Sequence, residues 1–230
     1  MIFVLSVAIA AESTGYAGTF VLPEARERAA GEVTAALGTG LGLYMATEMC
    51  LQVKGGSGCG GPYFDVILAP VARVAWSPTP GTHLEAYGGA TLNGYGTAIF
   101  DASASFPVSE VSRLGVFAGA FSEWYADGPV DGAYAIGVNY SAQWQRVRFD
   151  AVLPVVGGGL VEPMPSPAAP AVVEASFSFD LGKGHALRAG MMSLLPGGGW
   201  QYAGDKLVAR VDLHSLGVIS AGRAEVGARF

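Results

Sequence analysis

The chain has 230 residues, a net charge of −6 and only 14% charged residues. The length suits one domain, and an acidic balance without any basic cluster excludes a nucleic-acid partner. Hydrophobic residues make up 51% of the chain and the mean hydropathy is +0.39. Yet beyond the first dozen residues no run approaches the ~18 apolar residues of a membrane-spanning helix. The apolar residues are interleaved with Ser, Thr, charges and 34 glycines. Such a chain fits a bilayer as a closed β-barrel, in which each strand turns alternate residues to lipid.

Residues 1–11 form an apolar stretch with an Ala-x-Ala pattern at Ala8-Ile9-Ala10. This is the form of a cleaved export signal, although no Lys or Arg precedes it. Residues 12–230 are expected to be one barrel domain. The two cysteines, Cys50 and Cys59, flank a Gly-rich stretch, and in an exported protein they are expected to form a disulfide across a short loop. Two cysteines with no nearby His do not make a zinc site.

Period-two alternation recurs along the rest of the chain. In 33–46, Val33, Leu37, Leu41 and Leu43 oppose Thr34, Ala36, Gly38 and Gly40. In 63–76, Val66, Leu68, Val74 and Trp76 oppose Asp65 and Arg73, with Pro70 on the lipid side, where the strand is expected to bend or bulge. Leu84 and Ala86 oppose Glu85 and Tyr87. Phe100 and Phe106 oppose Asp101 and Ser103. In the second half, Val116 and Trp124 oppose Arg113 and Glu123; Ile136 and Trp144 oppose Asn139; Phe149 and Leu153 oppose Arg148 and Asp150. Phe177 and Phe179 oppose Glu174 and Asp180. Leu187 opposes Arg188, and Val226 and Phe230 oppose Arg223, Glu225 and Arg229. Every charge falls on the face opposite the apolar set. A bilayer enforces this, since a charge facing lipid at mid-depth costs roughly 2–4 kcal/mol. A soluble sandwich would instead carry a densely charged outer face. Trp76, Trp124, Trp144 and Phe106 lie at or near segment ends, where interfacial aromatic girdles form.

The count is ten segments, with eight or twelve as alternatives, in an all-β, closed antiparallel transmembrane barrel. An even count leaves both ends in the periplasm. Short connections at 77–81, 107–111, 145–146 and 182–185 then face the periplasm, and longer ones at 47–62, 127–131, 157–170 and 196–204 face outside. Residues 206–214 also alternate. They read as an extension of the last hairpin, or as a strand partnered by 15–22 to make twelve.

The last eight residues, Arg223-Ala-Glu-Val-Gly-Ala-Arg-Phe230, resemble the C-terminal targeting strand of bacterial outer-membrane β-barrel proteins. Ala224, Val226, Ala228 and Phe230 occupy that strand's alternate apolar positions, with small residues where the family carries bulkier ones. The resemblance implies the outer membrane of a Gram-negative bacterium. It also implies lipid and lipopolysaccharide as surroundings and the barrel-assembly machinery as a partner during biogenesis.

Asp65, Arg73, Glu85, Arg113, Glu123, Arg148, Asp150, Glu174, Asp180 and Arg188 are the candidate lumen charges. They are nearly balanced in sign and are expected to pair with one another. His83 and His185 fall at turns, where a solvated surface role is expected. Asp212, His214 and Ser215 are the one hydrolase-like cluster, but Ser215 points away from the other two on a strand, so no triad forms. No catalytic residue, cofactor or metal is expected, and the chain does not read as an enzyme. The reading is a structural, adhesive or porin-like barrel, the last a narrow passive channel for small polar solutes. The alternatives are an outer-membrane lipid hydrolase or protease, and a secreted lipocalin-like barrel holding an apolar ligand.

Overall fold

The computed structural model describes residues 29–46, 50–53, 56–59, 63–90, 96–124, 131–159, 174–192, 195–216 and 219–230. The export signal at 1–11 and the candidate strand at 15–22 lie outside them. The strands are β1 (Glu32–Ala46), β2 (Cys50–Val53), β3 (Gly56–Cys59), β4 (Tyr63–Ser77), β5 (Thr82–Ala90), β6 (Gly96–Pro107), β7 (Ser112–Trp124) and β8 (Asp131–Trp144). They continue with β9 (Val147–Gly159), β10 (Glu174–Gly182), β11 (His185–Met192), β12 (Leu195–Ala203), β13 (Leu207–Leu216) and β14 (Ile219–Arg229). Twelve of them close an antiparallel barrel, each paired to its chain neighbour, with β1 and β14 forming the seam. β2 and β3 are a separate hairpin between β1 and β4, whose register sets Cys50 opposite Cys59.

The expected ten strands become twelve, and for a different reason from the alternative involving 15–22. Residues 195–203, read above as part of an outer loop, are the barrel strand β12. Residues 207–216 are β13, a full member of the wall and not a hairpin extension. The pair adds two strands, so the placement of the other connections survives. The short ones (78–81, 108–111, 145–146, 183–184 and now 204–206) share one end of the barrel with the seam residues Glu32 and Arg229. Tight geometry at this end uses left-handed backbone. Gly81 has φ +88, and a Cβ there would run into the Ser105 carbonyl. Gln145 and Lys183 adopt φ of 50 and 54. At the seam, Phe230 N–H donates to the Val33 carbonyl (2.8 Å), Val33 N–H donates back (3.1 Å), and Arg229 pairs with Glu32 (3.4 Å).

The alternation holds in three dimensions. Leu37, Val74, Phe100, Ile136, Leu153, Leu213 and Val226 are exposed on the outer wall. Val116 and Phe177 would lie in a closed core if this were a soluble sandwich, but they are 54% and 47% exposed. The inner wall carries the buried Glu85, Asp101, Asn139, Asp150, Ser176, Arg188, Asp212, Arg223 and Glu225. Two apolar patches, Val71/Tyr87/Ile99 and Phe117/Ala135/Val152, sit among them. An apolar outside with a polar inside removes the lipocalin-like reading, which needs the reverse. Trp76, Phe106 and Trp144 are exposed at the short-turn end, as an interfacial girdle requires.

Pro70 does not bulge its strand. The register of β4 with β1 runs through Thr39↔Pro70 unshifted, and pairing with β5 starts one residue later at Val71↔Gly89. A proline needs no ladder donor where its strand is not paired. Register shifts fall instead between β8 and β9, where Ile136↔Val156 is followed by Gly137↔Pro154, and at the β10–β11 turn between Asp180 and Gly182.

Candidate functional site

The barrel interior is the candidate site. Twelve strands ~4.8 Å apart and tilted by about 40° close a backbone ring roughly 24 Å across. Side chains on opposite walls are then too far apart to pair directly, so inward charges find partners within one wall. The described ion pairs follow this rule.

The main network spans β5, β4, β14 and β13. His83 Nε2 lies 3.1 Å from Glu85 Oε2, and Glu85 accepts from Arg73 at 3.3 Å. Arg73 Nε reaches Glu225 at 3.2 Å, Glu225 lies 3.5 Å from Arg223, and Arg223 pairs with Asp212 at 3.3 Å. Asp212 also pairs with Arg210 on its own strand. Six charged side chains and one histidine thus form a continuous chain, although β1 stands between β4 and β14. That bridge is possible because β1 turns Ala36, Gly38 and Gly40 inward. The register sets Ala36 opposite Arg73 and Gly38 opposite Glu225. A Cβ on Gly38 would meet the Ala224 carbonyl and Glu225 Cα, so the long side chains cross over a strand that has almost none.

Smaller groups line the rest of the lumen. Arg148 Nε donates to Asp150 at 2.7 Å, and Ser141 donates to the other carboxylate oxygen at 2.7 Å. Arg188 donates to Ser176 Oγ at 2.9 Å. Arg113 donates to the Ser105 carbonyl at 3.2 Å, near the short-turn end.

Among the sequence-derived candidates, Arg73, Glu85, Arg113, Arg148, Asp150 and Arg188 all lie on the inner wall. The backbones of Asp65, Glu123 and Glu174 lie within β4, β7 and β10; their side chains are outside the described residues. Asp180 is not a lumen group. It is exposed at the rim, where its carboxylate accepts from Gly182 N–H at 2.7 Å and shapes the β10–β11 turn. His83 is corrected as well: it is buried inside the barrel, held toward Glu85, and not on a solvated turn. His185 stays near the rim, its ring 4.8 Å from that of Tyr202 and 5.7 Å from that of Trp200. Of the C-terminal positions, Val226 and Phe230 are exposed on the outer face and Ala224 and Ala228 are half-buried there.

Arg210, Asp212, Arg223 and Glu225 are not among the candidate lumen charges, yet they are four of the main network's seven members. A short signal marks them. Arg148-Phe-Asp150, Arg210-Val-Asp212 and Arg223-Ala-Glu225 are basic-x-acidic triplets, and His83-Leu-Glu85 is a fourth. On a strand, residues two apart share a face, so each triplet aims a preformed pair of hydrogen-bonding partners at one side. Asp212 and His214 do share the inner face of β13, but the Asp212 carboxylate is held by two arginines. Among the described residues no three potential ligands gather as a metal site.

No family model matches the chain, and no curated protein matches it. Solved structures do. The KdgM porin in complex with disordered oligogalacturonate aligns at a TM-score of 0.53 with 8% identity, covering 84% of this chain and 99% of the porin. The translocator domain of the autotransporter NalP from Neisseria meningitidis aligns at 0.45 with 10% identity, over 88% of this chain and 89% of that one. At such identities the likeness is one of fold. With its hydrocarbon-facing outer wall, the chain has the architecture of the bacterial outer-membrane β-barrels, and a location in that membrane suits it.

Proposed function

We propose that the barrel is a narrow passive channel for small polar solutes across the outer membrane. One asymmetry carries this reading. In three lumen pairs the carboxylate lies deeper than its guanidinium partner. Glu225, Asp150 and Asp212 side chains are 2–3% exposed, whereas their partners Arg73, Arg148 and Arg210 are 17–18% exposed. The acids fix the arginines, and the arginines present donors to whatever passes. A wall that only braced the membrane would gain nothing from keeping cationic faces accessible.

The test is conductance of the refolded, heat-modifiable protein in planar bilayers. Small steps with a mild anion preference are expected. An Arg73→Ala/Arg210→Ala double variant should shift the reversal potential toward cation preference. Silence of the wild-type protein sinks the channel reading. A structural or adhesive barrel is the second reading. Its support is the inner part of the same network, where Arg223, Glu225 and Asp212 are all almost fully buried and brace the wall around the seam. Ala224, Val226, Ala228 and Phe230 support a further reading, as the strand recognised during assembly. Phe230→Ala should lower the yield of folded barrel in cells while leaving refolding in detergent unchanged.

A further inference from the structure

Among the described residues, the outer wall has a depression across β4 to β7. The register builds it row by row. Toward the short-turn end, Trp76, Leu84, Ala102 and Ala118 lie side by side; the next row is Val74, Ala86, Phe100 and Ala120. The row above that is Ala72, Gly88, Ala98 and Ser122, with nothing larger than serine. Together these leave an open groove of about 550 Å³, floored by alanine and glycine and flanked by Val74 and Phe100. Val74 and Phe100 are 52% and 56% exposed, so they stand up as rims on either side of Ala86. On the outer face of β9 and β10, Phe149 and Phe177 instead pack ring against ring at 5.0 Å.

We propose that this groove binds one lipid acyl chain as a held lipid, distinct from the freely exchanging lipid around the barrel. The environment supplies the occupant's chemistry, because the groove belongs to the wall that meets hydrocarbon and its accessible lining is almost wholly apolar. The shape selects a slender chain. A second barrel is a convex cylinder, and the Val74 and Phe100 rims hold such a surface off the floor. A flexible chain lies between the rims and gains close dispersion contact along the small residues, the term that drives packing where no hydrophobic effect operates.

The test is native mass spectrometry of the full protein, extracted in mild detergent from vesicles of phosphatidylethanolamine and phosphatidylglycerol. The wild-type barrel should carry one retained phospholipid. Ala86→Leu/Ala98→Leu, which fills the groove, should lose that peak, and Ala189→Leu on the far outer wall should keep it. Heat-modifiable gel mobility confirms that each variant is folded. Equal lipid occupancy in the wild type and the filled variant overturns the proposal. A dimer peak that the filled variant abolishes also overturns it, since it would make the occupant a second copy of the chain.

Discussion

The two sides of the lumen solve the same problem differently. Around the seam, β13, β14, β4 and β5 aim long charged side chains inward, and the intervening β1 is stripped to alanine and glycine so that Arg73 can reach Glu225. On the far side, β7 to β9 place Phe117, Ala135 and Val152 together, beside the local Arg148–Asp150 pair and an Arg113 held by the Ser105 carbonyl. The seam wall is therefore one linked network, while the far wall is apolar packing with a polar inlay. Small residues on a barrel strand can thus mark where neighbouring side chains lie across it, not where structure is weak.

Breaking the seam network should have the largest effect. Arg223→Ala leaves Asp212 and Glu225 buried beside a lost partner and is expected to destabilise the barrel by about 3–5 kcal/mol. Arg148→Ala on the far wall should cost clearly less, because its head is partly in water. Urea unfolding in lipid vesicles measures both, and equal losses would erase the distinction between the walls. Adding Asp212→Leu and Glu225→Leu to Arg223→Met should recover much of the loss, since a well-packed apolar replacement removes the unpaired charges.

The next test sets the inner face against the outer. Val211→Arg introduces a charge to lipid and should cost roughly 2–4 kcal/mol if it lies near mid-depth. Gln201→Glu, on the lumen side of the neighbouring strand and opposite Arg210, should be near neutral. A similar penalty at both positions would contradict the assignment of faces.

A smaller effect probes the crossed glycines. The register sets Gly199 between Arg188 and Asp212, and a Cβ there would meet the Val211 carbonyl and the Asp212 carboxylate. Gly199→Val is expected to cost about 1–3 kcal/mol by overpacking, despite the better strand propensity of valine. A gain in stability would show that the glycine is incidental. The smallest effect concerns the Cys50/Cys59 hairpin, which lies outside the barrel sheet. The denatured protein should resist alkylation until it is reduced, and reduction should leave the barrel's unfolding midpoint nearly unchanged.

The place where the sequence misled is informative. Leu195-Pro-Gly-Gly-Gly-Trp-Gln-Tyr-Ala203 has the composition of a loop, and local propensity assigns it to one. In the barrel, Gly197 faces His214, and Gly199 lies between Arg188 and Asp212. The glycines make room for long residues on β11 and β13, and no reading confined to nine consecutive residues contains that. His83 departs from its expected turn position for a related reason. It stands one residue into its strand, and only the closed ring shows that this position is already inside the wall, next to Glu85.

The sequence by itself determined the class of fold, the direction of each face and the closing strand at Phe230. These follow from a period of two and from the cost of a charge in hydrocarbon, and both act residue by residue. Only the tertiary structure decided the number of strands, the path of the ion network over β1 and the groove on the outer wall. Each of those depends on which residues become neighbours across strands, and register is a property of pairs of strands that no single strand encodes.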